Sequence, residues 1–179
     1  EYKGILIFLN AAINILKEGK YSVKAIIIGD GNLLEKSIKI CKESGFEKNF
    51  KFLKSIRHDE VMEYQLNADI YVSANRDGNL INTNLEAIAS NSCMIIPRNQ
   101  PKKFIDIQTT KLLGKSVLYY NLNKKNELKT KIQYLLKYPN KILEFKKKIS
   151  ITKLSFIRTW DDRILEEMNI LNKFLKNKV

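Results

Sequence analysis

Val23-Lys24-Ala25-Ile26-Ile27-Ile28 is a short, β-branched run that stops at Gly29-Asp30-Gly31. A strand that is apolar on both faces must be covered on both, which is the condition of a parallel sheet held between helices. The flanking sequence supplies such helices. Ile5, Leu6, Leu9, Ala12, Ile13 and Leu16 recur at helical spacing ahead of Gly19, and Leu33, Leu34, Ile38 and Cys41 do so ahead of Gly45. Phe50 to Leu53 reads as a second strand, His58 to Leu66 as a short helix and Asp69 to Ser73 as a third strand. A polar loop from Ala74 to Ile81 leads into a helix over Asn82 to Asn91, followed by strands at Cys93 to Ile96 and Val117 to Tyr120. Beyond Tyr120 the periodicity is helical over 124–137, 140–149 and 160–176, with Pro139 and Asn140 breaking the first from the second. The expected fold is α/β: a Rossmann-like parallel sheet flanked by helices, with extra C-terminal helices and the last of them packing as an addition. Such sheets usually begin with a strand, whereas this pattern begins with a helix. The expectation is therefore a fragment lacking its first, central strand, with an apolar slot left beside the strands it has.

The 179 residues suit one domain, and 44% hydrophobic residues suffice for a core. No apolar run approaches the ~18 residues of a membrane span, and Glu1-Tyr2-Lys3-Gly4 is no basic signal-peptide head. Cys41 and Cys93, with His58 the single histidine, make neither a disulfide framework nor a zinc site, so no metal is expected. Buried free thiols in a reducing, cytoplasmic compartment follow. The net charge of +13 favours anionic partners: phosphorylated metabolites, an anionic membrane surface at which the chain could sit peripherally, or nucleic acid. A basic nucleic-acid-binding module is the rival class. Against it, the lysines of 124–153 alternate with Leu128, Ile132, Leu135, Ile142, Phe145 and Ile149, the pattern of a solvated face over a buried stripe.

Ligands of open parallel sheets bind at the carboxyl ends of the strands. Gly29-Asp30-Gly31-Asn32 lies there but is not the dinucleotide fingerprint G-x-G-x-x-G. The richer loop is Ser73-Ala74-Asn75-Arg76-Asp77-Gly78-Asn79-Leu80-Ile81-Asn82-Thr83-Asn84-Leu85-Glu86-Ala87. It runs from a strand into a helix whose first amides are free donors with the positive end of the helix dipole behind them, a ready phosphate site. Asn79 or Asn82 could cap that helix. Glu86, about one turn in, suits a sugar diol; the competing reading is a favourable charge near the helix N-terminus. Lys3 is either a point charge for a phosphate or a surface lysine.

The ordered set of these segments resembles the C-terminal, donor-binding domain of retaining glycosyltransferases of the GT-B fold, the glycosyltransferase group 1 family. Lys3-Gly4 looks like its K-G start, and Ile26-Ile27-Ile28-Gly29-Asp30-Gly31 like its strand and glycine turn. Phe50-Lys51-Phe52-Leu53, His58-Asp59-Glu60-Val61, Tyr64 and Ala68-Asp69 look like its next stretch. Asp77 to Ser90 looks like the signature E-G-F-G-N-v-x-x-E-A-m-A-s-G, and Trp160 with Arg163 resembles the lead into its C-terminal helix. The resemblance implies a nucleotide-sugar donor as substrate, no cofactor, metal-independent transfer of a hexosyl-type sugar with retention, and a glycan, glycolipid or polysaccharide acceptor. It implies a missing N-terminal acceptor domain and an isolated fragment without activity. Carried over, Lys3 contacts phosphate, Glu86 the ribose, and amides near Leu80, Ile81, Asn82 and Thr83 the diphosphate; Gly29, Asp77, Gly78 and Asn79 join the substrate site, and Ser55, in the Lys54–Ile56 loop, lies beside the base. No catalytic residue is assigned. The chain departs from the signature in having Gly78 where its first acid stands, with Asp77 one residue early, Ile81 where a glycine stands, and no glycine pair in Pro97-Arg98-Asn99-Gln100-Pro101. A GT-B nucleotide-sugar epimerase, which shares the fold, is the third reading.

Overall fold

The computed structural model describes residues 4–76, 78, 79, 81–100 and 106–176. Helices and strands alternate in the expected order. They are α1 (Ile5–Lys17), β1 (Ala25–Ile28), α2 (Leu34–Glu43), β2 (Phe50–Leu53), α3 (His58–Asn67), β3 (Tyr71–Val72), α4 (Asn82–Ala89), β4 (Met94–Pro97), α5 (Ile107–Leu113), β5 (Leu118–Tyr120), α6 (Glu127–Lys137), α7 (Asn140–Thr152) and α8 (Trp160–Lys176). Every strand pair is parallel: Ala25 lies beside Phe50, Tyr71 beside Met94, and Ile95 beside Leu118. The strands do not form one sheet, however. Among the described residues β1 pairs only with β2, and β3, β4 and β5 form a second sheet in that order. The edges of β1 and β3 that face away from their partners pair with no strand among the described residues.

β4 shows why its run is apolar throughout. All four of its residues are buried. Cys93 and Ile95 point into a cluster with Ala11 and Ile15 of α1 and Leu128, Ile132 and Leu135 of α6. Met94 and Ile96 point the opposite way, to Ala87 and Ile88 of α4, Leu113 of α5 and Ile149 of α7. Period-2 alternation has thus dealt successive side chains to two helical layers. β1 receives half of this treatment. Ala25 and Ile27 pack with Leu9, Ala12, Ile13 and Leu16 of α1 and with Cys41 of α2, whereas Ile26 and Ile28 are 46% and 36% exposed.

α1 is shared by both sheets. Its Leu9 and Ile13 belong to the β1–β2 cluster and its Ala11 and Ile15 to the β4–β5 cluster. Glu18, just past its end, pairs with Lys129 of α6. The lysine-rich C-terminal helices bear out the solvated-face reading: Leu128, Ile132, Leu135, Phe145 and Ile149 are buried. Both cysteines are buried and free, and burial pushes the Cys93 thiol up to about 12.

Two elements depart from the sequence expectation. α5 was not foreseen, since Thr109 and Thr110 are poor helix formers and a seven-residue segment shows no clear stripe. α8 is helical over the expected residues, but its Trp160, Ile164, Leu165, Met168, Leu171 and Leu175 stay exposed among the described residues. No described helix is long and apolar enough to cross a membrane.

Gly4 fixes where α1 begins. It has φ +59, and a Cβ there would lie 2.2 Å from the Ala74 carbonyl oxygen, at the carboxyl end of β3. Gly4→Ala should therefore lose both the left-handed backbone, ~1–2 kcal/mol, and the close approach, a further ~1–3 kcal/mol. Gly19→Ala shares the positive φ (+66) but meets nothing within 4 Å, so it should lose the backbone part alone. Urea unfolding of the two variants checks this; equal midpoints would show that the Ala74 contact contributes nothing.

Candidate functional site

α1 starts beside the carboxyl end of β3 and leads, through Gly19, to the amino end of β1, so the two sheets run the same way. The loops after all the strands consequently share one edge, where ligand sites of such sheets form. The β3–α4 loop is the most elaborately built of them. Tyr71 Oη donates to Asn84 Oδ1 at 2.8 Å, Asn84 Nδ2 donates to the Asn79 carbonyl at 2.7 Å, and Asn79 Nδ2 donates to the Pro97 carbonyl at 2.9 Å. Tyr120 Oη donates to the Ser73 carbonyl at 3.1 Å, and Asn75 Nδ2 to the Gly78 carbonyl at 2.8 Å. The chain of amides clips the loop to α4 on one side and to β4 on the other. Asn79 is thus a buried strut, 2% exposed, with its Oδ1 buried and without a partner among the described residues.

Neither Asn79 nor Asn82 caps α4. Ile81 stands at the cap position with extended backbone (φ −107, ψ 157), and no side chain makes a capping bond. The Asn79 amide is spent on β4, and Asn82 is already the first helical residue. The amides of Asn84 and Leu85 return to the Ile81 carbonyl at 3.0 Å each. Those of Asn82 and Thr83, both exposed residues, have no acceptor among the described residues. This end of the helix thus offers two donors and the positive pole of its dipole to solvent.

Glu86 lies one turn further along with its side chain 26% exposed, and His58 Nδ1 at the head of α3 stands 3.7 Å from its Oε1. The charge of Glu86 is felt locally: burial raises the Tyr71 phenol, and Glu86 raises it further. Gly78, Asn79, Ile81, Asn82, Thr83 and Glu86 are therefore brought onto one loop and helix, with Gly4 against Ala74 at its base. Lys3, Asp77 and Leu80 lie outside the described residues. Gly29 (φ +140) and Ser55 are exposed at the carboxyl ends of β1 and β2, and the β2–α3 loop reaches Glu86 through His58 instead of Ser55.

Sequence reasoning missed two residues here. His58 was legible as the single histidine at the head of a helix on the ligand edge. Asp106 was not, because it lies in a stretch without periodicity. Its Oδ1 accepts from Thr109 Oγ1 at 2.6 Å and would lie 3.6 Å from a Cβ on Gly78. Beyond it, the Arg98 guanidinium sits 5.9 Å from the Tyr119 ring centre, and a polar recess of about 110 Å3 opens between Arg98, Asn99, Asn121 and Asn123. Burial first, then the Asp106 charge, pushes Tyr119 up to about 12. A larger open groove of about 420 Å3 runs between α1 and α2, away from Glu86.

The model of the family described as glycosyl transferases group 1 matches residues 1–150, and the chain belongs to that family. No curated protein matches the chain. Among solved structures, the C-terminal domain of a glycosyl transferase group 1 family protein (LpcC) from Francisella tularensis is 20% identical with a TM-score of 0.72, covering 87% of this chain and 80% of that one. A point mutant of S. aureus TarM, solved in complex with fondaparinux, alpha-GlcNAc-glycerol and UDP, is 19% identical with a TM-score of 0.71, covering 98% of this chain and 33% of that one. Sucrose-phosphate synthase from Thermosynechococcus elongatus is 18% identical with a TM-score of 0.74, covering 99% and 43%. The chain therefore spans about a third of the TarM chain and less than half of the synthase. At these identities the likeness is one of fold, the α/β fold of parallel sheets flanked by helices expected from the sequence.

Two outcomes follow from this geometry. Asn79→Ala removes the side-chain bond to the Pro97 carbonyl and should cost about 1–3 kcal/mol of stability, the scale for leaving a buried hydrogen-bonding group unpaired; Asn82→Ala, at an exposed residue, should cost little by the same urea titration. The second concerns pH. The Tyr119 phenol is raised in the fold to about 12, against about 10 unfolded. Its contribution to stability is whole below pH ~10 and is lost between ~10 and 12, as only the unfolded chain releases the proton there. Stability of the wild-type chain should thus fall more steeply across that window than stability of Tyr119→Phe; parallel curves would show that the phenol is not shielded.

Proposed function

We propose that this chain is the donor-binding half of a two-domain glycosyltransferase, which moves a sugar from a nucleotide-sugar donor to an acceptor with retention. The carrying observation is the pair of amides at Asn82 and Thr83, without an acceptor among the described residues, with Glu86 one turn behind them on the ligand edge of a parallel sheet. The amides hold the diphosphate. Glu86 accepts hydrogen bonds from the ribose diol; a carboxylate set against the phosphate would repel it. His58, 3.7 Å from Glu86, borders the same space, and the loop containing Ser55 lies toward the base. Lys3, one residue before Gly4, adds a positive charge to the diphosphate. The complex of TarM with UDP is consistent with this ligand class.

The chemistry is electrostatic. As the bond from sugar to diphosphate breaks, negative charge grows on the leaving phosphate, and donors already aimed at it lower the barrier. No metal or cofactor enters this proposal. The acceptor is held by an N-terminal domain outside this chain, so the 179 residues alone bind a nucleoside diphosphate without turning it over.

Calorimetric titration of uridine and guanosine diphosphates into the chain, and into Glu86→Gln and Glu86→Ala, tests the assignment. Either substitution should weaken binding by about 1.5–3 kcal/mol, the value of a hydrogen bond to a charged group, while melting changes little, since the contact with His58 is long and largely exposed. Unchanged affinity with a large drop in melting temperature would make Glu86 a fold-supporting residue and leave the likeness one of architecture.

A further inference from the structure

Arg98 is the first residue past β4, and its backbone is fixed. Its amide donates to the Tyr120 carbonyl at 2.7 Å, which carries the strand pairing one step further. Its guanidinium lies 5.9 Å from the centre of the Tyr119 ring, within the distance at which an aromatic face attracts a cation. Stacking of this kind uses the flat face of the guanidinium and leaves its N–H fork to another partner. Among the described residues the ion pairs of arginine are Arg57 with Asp59 and Arg163 with Glu167; Arg98 forms none.

The recess of about 110 Å3 beside Arg98 is lined further by Asn99, Gln100, Asn121, Leu122 and Asn123. Two loops build it, one after β4 and one after β5, and Pro97 lies beside Tyr120 where they leave the sheet. The second loop is held in shape from within. The Asn123 amide donates to Asn121 Oδ1 at 2.9 Å, and the Lys124 amide to the Asn121 carbonyl at 3.1 Å. Two carboxylates stand nearby, and each already has a donor: Glu127 accepts from the Asn121 amide at 3.2 Å, and Asp106 from Thr109 Oγ1 at 2.6 Å. The lining itself holds one cation, four carboxamides and no acid. Lys124 and Lys125, both exposed, follow directly in the chain. Sites for whole small molecules run to about 300–1,000 Å3, and a water in the liquid takes about 30 Å3. The recess therefore holds one compact polar group and not a nucleoside.

We propose that this recess is a second anion site on the ligand edge, which takes a single phosphate group and is separate from the head of α4. The lining chooses phosphate among anions. A guanidinium fork binds two phosphate oxygens side by side, and a tetrahedral group still has oxygens for the carboxamides of the facing loop. A planar carboxylate would give both of its oxygens to the arginine and leave those amides unanswered. The strand order β3-β4-β5 puts the recess, which follows β4 and β5, about 5–10 Å across the sheet from the loop after β3. Asn79 links the two places, since its Nδ2 donates to the carbonyl of Pro97, one residue before Arg98. The site uses neither Glu86 nor a nucleotide, so it stands independently of the function proposed above.

NMR of side-chain N–H groups tests it. Inorganic phosphate titrated into the chain at low salt should give saturable shifts of the Arg98 Nε–H and of the Asn121 and Asn123 carboxamides. Arg98→Gln should weaken this binding by about tenfold or more, the scale of a lost hydrogen bond to a charged group, with little change in melting temperature, since Arg98 is exposed. Arg98→Lys keeps the charge without the fork and should recover only part of the affinity. Lys36→Gln removes the same charge from an exposed position on α2 and should leave the affinity unchanged. Acetate at equal ionic strength should bind more weakly than phosphate. Glucose 6-phosphate separates the sources of the group: tighter binding than inorganic phosphate assigns the site to a phosphorylated sugar, equal binding assigns it to the free ion, and either result supports the site. Shifts that do not saturate, equal affinity in Arg98→Gln, an equal loss in Lys36→Gln, equal binding of acetate, or shifts confined to the amides of Asn82 and Thr83 would each overturn the proposal.

Discussion

One helix holds the two parts of this fold together. α1 sends Leu9 and Ile13 into one cluster and Ala11 and Ile15 into another, so residues two apart serve different sheets. Such burial contributes about 1.5–3 kcal/mol per large side chain, and it is gained only if the helix lies at one height and one rotation over both sheets. Gly4 against Ala74 sets the height, and the Glu18–Lys129 pair at the other end opposes rotation. Because Ala74 opens the β3–α4 loop, the contact that seats α1 also seats the loop that leads to Asn82 and Thr83. Structure and site thus share a fixed point.

The strands and their parallel pairing were largely legible because their cause is local. A run such as Ala25 to Ile28 is stiff at χ1 and apolar on both faces, and only a covered parallel strand uses both properties. The buried stripe of α6 and α7 was legible for a similar reason, since Leu128, Ile132 and Leu135 repeat at helical spacing whatever they pack against. α5 was hidden because Thr109 and Thr110 carry no helical signal and its start depends on Asp106 in a left-handed conformation. The period of α8 was legible, but a stripe does not name the surface that covers it.

The site was less legible, because residue type does not say where a polar side chain points. Asn79 in a polar loop looks like a cap or a ligand contact. In the fold it is buried and bridges to Pro97, while Asn84, two residues into the helix from Asn82, is the amide that joins Tyr71 to the loop. The place of Glu86 one turn into α4 was legible because periodicity alone fixes it. His58 comes near it through a contact 28 residues away in sequence, which only the parallel return of the chain brings about.

The bare helix α8 has a material consequence. Its 17 residues extend about 25 Å and leave Ile164, Met168 and Leu171 in water. Isolated helices of this length are marginal, so its backbone opens often while the body stays closed. Lys153 and Arg158 lie between α7 and α8, and Arg163 lies in the first turn of α8. A protease that cuts after basic residues would meet these bonds first, trimming the chain to a resistant body that ends near α7 and keeps the whole β3–α4 loop.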